Sequence, residues 1–135
     1  MKKSLIITTL ILVALAANAH AEGKGAVKVQ FDPDVGWANL NTTANGTIIA
    51  SAHLDSGLPN EVYSVSIRVR YEDQSTEVFA DIATLSTNGQ GKGNVQVQVE
   101  INPPAGSNTL RRVAIRVRKA PDLLYVAVAW DIPLK

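Results

Sequence analysis

The chain has 135 residues, of which 46% are hydrophobic, with 13 Lys and Arg against 12 Asp and Glu and no cysteine. A formal charge of +1 is too small for bulk electrostatic binding of nucleic acid, so none is expected as a partner. Without cysteine there are no disulfide staples, thiol nucleophiles or thiolate metal sites, and an apolar core must carry the stability.

The N-terminus reads as an export signal. Lys2 and Lys3 form a basic start, Leu5 to Ala17 is almost wholly apolar, and Ala19-His20-Ala21 has the A-x-A form of a cleavage site. The apolar run falls short of the ~20 residues of a membrane-spanning helix. The expectation is a secreted or periplasmic protein, with a signal peptide at 1–21, cleavage after Ala21, one domain at 22–135 and no membrane span after cleavage. Losing Lys2 and Lys3 leaves 11 basic residues against 12 acidic, a net charge of −1.

Beyond Ala21 the chain shows no long helical period but repeated alternation with a period of two, broken by Gly, Pro and Asn clusters. Ala26 to Asp32 is a first strand with Val27, Val29 and Phe31 inward, ended by Asp32-Pro33-Asp34. Trp37 to Thr43 reads as a short edge piece, and Asn45-Gly46 as a hairpin turn into Thr47 to Leu54. Ile48, Ala50, Ala52 and Leu54 share one face of that strand; His53 falls on the other.

A Gly57-Leu58-Pro59-Asn60 corner then leads into the cleanest alternation in the chain. Tyr63, Val65, Ile67, Val69 and Tyr71 point one way, and Ser64, Ser66, Arg68 and Arg70 the other, as in a central strand. Glu72 to Ser75 turns the chain back into Thr76 to Ser86, whose looser alternation predicts a bulge or a partly covered face. In the loop from Thr87, Gly89, Gly91 and Gly93 suit positive φ or close backbone approach. Asn94 to Ile101 alternates strictly, and the loop Asn102 to Asn108 comes next. Leu110 to Lys119 places Val113, Ile115 and Val117 inward and Arg112, Ala114, Arg116 and Arg118 outward. After Pro121-Asp122, Leu123 to Ile132 is apolar on both faces, which predicts a central or doubly covered strand with Trp130 in the core.

The fold class expected is all-β: a single antiparallel sandwich of seven or eight strands. Gly57-Leu58-Pro59-Asn60 followed by Tyr63-x-Val65, together with Gly89-x-Gly91-x-Gly93 before an alternating strand, resembles the CHRD domain and the related copper/zinc superoxide dismutase fold. The Pro turn before a Tyr-bearing strand is also similar to the fibronectin type III sandwich. Either resemblance implies Greek-key, immunoglobulin-like connections and a Tyr63 hydroxyl that closes a corner on nearby backbone. Where the dismutase-like pattern has histidines, this chain has Ser66 and Arg68, so the resemblance carries over no copper or zinc site.

Catalytic constellations are thin. His53 would have to serve any serine triad, and on an outer face it lacks an orienting partner. No phosphate-binding loop is present, and Asp32, Asp34 and Asp55 read as turn residues rather than calcium ligands. No catalytic residue, metal or cofactor is expected. The distinctive feature is arginine: Arg68 and Arg70 on one outer face, Arg112, Arg116 and Arg118 on another. If those strands are neighbours, the guanidinium groups form one patch suited to planar recognition of carboxylate, sulfate or phosphate. The bland alternatives are solvated residues paired with Glu72, Glu77, Asp81 or Glu100, and charges that block a sheet edge. Trp37, beside Gly36 in a loop-like region, reads first as a partly buried loop tryptophan and second as an exposed stacking platform for sugar. The function expected is a non-catalytic binding module for an anionic glycan or protein; the alternative is a structural or assembly subunit of an envelope or extracellular complex.

Overall fold

Alternating polar and apolar residues become eight strands in the computed structural model, which describes residues 27–43 and 46–134. They are β1 (Val27–Gln30), β2 (Gly36–Thr42), β3 (Thr47–Leu54), β4 (Val62–Tyr71), β5 (Thr76–Ser86), β6 (Gly93–Glu100), β7 (Thr109–Lys119) and β8 (Leu123–Pro133). No helix occurs among the described residues. The expected leader, its cleavage site and Asn45 lie outside them.

The strands form two antiparallel four-stranded sheets, ordered β1-β2-β3-β6 and β5-β4-β7-β8. Their inner faces share one apolar core in which Tyr63, Ile67, Val69, Ile115 and Val117 are wholly enclosed. Phe31, Ile48, Leu54 and Val99 meet them from the first sheet's side. This is the all-β two-layer architecture that alternation predicts.

Two expectations change. Trp37 to Thr43 is not an edge piece: β2 lies between β1 and β3, hydrogen-bonded to both. Leu123 to Ile132 is not central. β8 borders the second sheet, where an isolated bridge joins Val126 to Asp32 and the Thr42 hydroxyl donates to the Pro133 carbonyl at 3.0 Å. The inward face expected of the first strand is present: Val27 and Phe31 are buried, and the half-buried Val29 packs against the same core.

The bulge expected in Thr76 to Ser86 is present. Val65 pairs with Ala83 and Ile67 with Phe79, so Ser66 alone faces Ala80, Asp81 and Ile82. An excess of two residues keeps the pleat in phase, and Phe79, Ala83 and Leu85 all turn inward. A second irregularity does the opposite. Arg70 pairs with Arg112 but Tyr71 with Leu110, leaving Arg111 as one extra residue on β7. The facing order flips there: Arg112 is outward, Leu110 is buried, and on β8 Trp130 is outward while Ile132 is buried. Asp131 absorbs the matching kink at φ 52, a left-handed conformation Asp tolerates, and its carboxylate meets Arg111 at 3.5 Å.

The connections at one end are bolted by polar contacts. The buried Tyr63 hydroxyl accepts a hydrogen bond from the Leu58 N–H at 2.9 Å, closing the Gly-Leu-Pro-Asn corner. Thr87 Oγ1 donates to the Leu58 carbonyl at 2.6 Å and accepts from the Glu61 N–H at 2.9 Å. Gly57 N–H bonds the Gly91 carbonyl at 2.9 Å, and a Cβ on Gly91 would lie 2.1 Å from the Gly57 oxygen. Gly91 also sits at φ 79, so the position needs glycine twice over. At the other end, Glu77 accepts hydrogen bonds from Tyr71 and from Asn102, joining the edge of one sheet to the chain leaving the other.

Candidate functional site

β4 and β7 are the two central strands of the second sheet and pair from Ser64 opposite Arg118 to Tyr71 opposite Leu110. Arg70 stands opposite Arg112, Arg68 opposite Ala114, Ser66 opposite Arg116 and Ser64 opposite Arg118. Neighbouring strands lie ~4.8 Å apart, so both arginine rows occupy one surface. The structure thus brings together Arg68, Arg70, Arg112, Arg116 and Arg118. Ala114, at the centre, is only 1% exposed although it belongs to the outer face. Its methyl is too short to reach water past the longer side chains around it, whose stems cover it while their heads stay solvated.

Ion pairing does not account for this patch. Among the described residues, only Arg118 of the five has a carboxylate in reach, Asp81 at 4.0 Å, and both are well exposed. Such a pair contributes about 0–1 kcal/mol. The other acids are engaged elsewhere: Glu72 accepts from Thr109, Glu77 from Tyr71 and Asn102, and Glu100 belongs to β6 in the opposite sheet. Edge blocking is excluded too, because β4 and β7 are interior strands.

The β5 bulge shapes one side of the face. Asp81, at φ 51, accepts from the Ser64 hydroxyl while its N–H donates to Ser66 Oγ at 2.9 Å. Beside it lies a depression of about 120 Å³ lined by Ser66, Arg68, Val78, Asp81, Arg116 and Arg118. Val78, 53% exposed, forms its apolar wall.

Trp130 departs from its expected place. It is not in the core but 59% exposed, on the same face as the arginines. Tyr125, Ala127 and Ala129 take the inward positions of β8, which leaves Leu124, Val126, Val128 and Trp130 outward. Pairing sets Trp130 opposite Arg112, so Arg70, Arg112 and Trp130 run in one line across three strands. The Arg112 guanidinium lies 5.5 Å from the indole centroid, within cation–π range. The sequence does carry the signal: Trp130 shares parity with Val126 and Val128, opposite to Tyr125, but apolar residues on both sides of the strand hide it.

Trp37 is not part of this assembly. It lies in β2 rather than a loop, half-buried on the outer face of the other sheet. From β1, Lys28 places its ammonium 4.9 Å from the ring centroid; from β3, the His53 imidazole stacks at 4.9 Å and 13°. Since β1 and β3 flank β2 on opposite sides, the indole is held from both. Burial, and then the Lys28 charge, hold the His53 pKa below its ordinary value. Among the described residues, no group of three or more His, Cys, Asp or Glu could hold a metal ion. Asp55, one of the turn acids, pairs with Lys92 at 3.7 Å. Among the described residues no helix is long and apolar enough to cross a membrane.

No family model, curated protein or solved structure matches this chain.

Proposed function

We propose that this is an exported, non-catalytic binding module that meets an anionic partner with the outer face of β4 and β7. The observation that carries the reading is the gathering of Arg68, Arg70, Arg112, Arg116 and Arg118 on one surface with almost no carboxylate to neutralise it. Guanidinium groups concentrated in this way recognise carboxylate, sulfate or phosphate through paired N–H donors. The basic start, apolar run and A-x-A site support secretion or delivery to the periplasm. The order β5-β4-β7-β8 against β2-β3-β6 supports a Greek-key, immunoglobulin-like sandwich with one extra strand, β1.

Replacing Arg68, Arg70, Arg116 and Arg118 together with Gln is the test. Binding to anionic glycans or to cell envelopes is expected to fall away; unchanged binding overturns the reading.

A structural or assembly subunit is the second reading, favoured by Val78 and Ile82, which leave β5 with exposed apolar side chains at a sheet border. Light scattering on the exported protein separates the two. A strict monomer across concentration removes the assembly reading.

A further inference from the structure

Resting on that reading, we infer that the anionic partner is a linear acidic polysaccharide, with one sugar ring stacked on Trp130 and its acidic groups held by Arg112 and Arg70. An indole that is 59% exposed, beside a guanidinium and in line with a second one, combines two functions at one end of the arginine array. The indole supplies a flat apolar surface for the C–H face of a sugar. The guanidinium groups supply donors for a carboxylate or sulfate on the same chain.

The layout of the face favours a polysaccharide over an acidic protein. Protein interfaces place an apolar core inside a polar rim, with charge depleted at the centre. Here the order is reversed: arginines surround Ala114 at the centre, while Val78 lies on one bordering strand and Trp130 on the other. A hydrated polyanion does not require its contact surface to be dry at the centre. The relief is also shallow. The depression of about 120 Å³ is small beside the ~300–1,000 Å³ of sites that enclose a small molecule, whereas an extended chain needs only a surface to lie on. Near-neutral total charge adds that attraction is local, so acidic groups must sit at the arginines rather than merely near the protein.

The test is calorimetric titration of the exported protein against alginate, dextran sulfate, neutral dextran and poly-L-glutamate. At least one acidic polysaccharide is expected to bind and neutral dextran is not. Trp130→Ala and the double variant Arg70→Gln/Arg112→Gln are each expected to weaken that binding about tenfold, in the range of interface anchors. Trp130→Tyr restores most of the affinity, whereas Trp130→Leu, which keeps bulk without an aromatic face, does not; this comparison decides the matter if Trp130→Ala folds poorly. Binding of poly-L-glutamate with neither acidic polysaccharide overturns the inference and leaves the arginine-face reading standing. Failure to bind any polyanion overturns both. Polysaccharide binding that is indifferent to Trp130→Leu overturns the inference alone.

Discussion

Arg70 and Arg112 stand directly opposite one another on the two central strands of a sheet, with no carboxylate bridging them among the described residues. Like charges in that relationship destabilise a sheet. Arg70→Gln is therefore expected to raise stability by ~0.5 kcal/mol at low ionic strength, read from the urea midpoint. The gain should shrink as salt screens the pair. The same variant should bind polyanions less well, so that stability and affinity move in opposite directions. A variant less stable than the parent at low salt would show that the two guanidinium groups do not repel.

Tyr63 is wholly buried and its hydroxyl accepts from the Leu58 N–H, so the ring and the bond can be separated by mutation. Tyr63→Phe keeps the ring and leaves a partly buried donor unpaired. The expected cost is ~1–3 kcal/mol in urea unfolding, with the m-value unchanged. An effect near zero would mean that water replaces the hydroxyl and that the corner does not depend on it.

Two glycines at similar φ separate conformational strain from collision. Gly106, at φ 88, has nothing within 4 Å of an added Cβ, whereas at Gly91, φ 79, the Cβ would strike the Gly57 carbonyl. Gly106→Ala should cost ~1–2 kcal/mol, the left-handed penalty alone. Gly91→Ala should cost distinctly more, because the connections carrying Gly57 and Gly91 must move apart. Equal losses in thermal unfolding would remove the collision from the account.

Glu77 gives the fold an acid-sensitive contact. Partial burial raises its pKa, but the hydrogen bonds from Tyr71 and Asn102 outweigh burial and leave it below the ordinary 4.5. Its carboxylate therefore adds stability that is present above 4.5 and lost as pH falls through the lowered value. Glu77→Gln should be less stable than the parent at pH 7, with the gap closing on acidification below 4.5. A gap independent of pH would assign the loss to altered geometry instead.

Most of the fold is legible in the sequence because a half-buried strand repeats every two residues. β4 and β6 alternate without interruption, and β3 announces its buried face through Ile48, Ala50, Ala52 and Leu54. What alternation does not encode is which strands become neighbours. The strand around Trp37 reads as an edge because it is short and polar, yet its hydrogen bonds go to β1 and β3 on both flanks. The arginine patch is half legible: the residues and their outward direction follow from parity, but their union depends on β4 pairing with β7, a contact between segments far apart in sequence. Trp130 reads as a core residue because Leu124, Val126 and Val128 are outward yet apolar, so β8 looks buried on both sides.

The extra residue at Arg111 gives this short stretch an unusual mutational grammar. It lets Leu110 and Ile132 enter the core while Arg112 and Trp130 stay outside. Loss of its codon would set Leu110 beside Arg112 in plain alternation against Tyr71 and Arg70, leaving Asp131 as the unmatched residue on β8. Loss of a codon in the regular part of the strand has no surplus residue to absorb it and exchanges interior for surface on one side of the lesion. Descendants of this gene can therefore drop position 111 at less cost than its alternating neighbours.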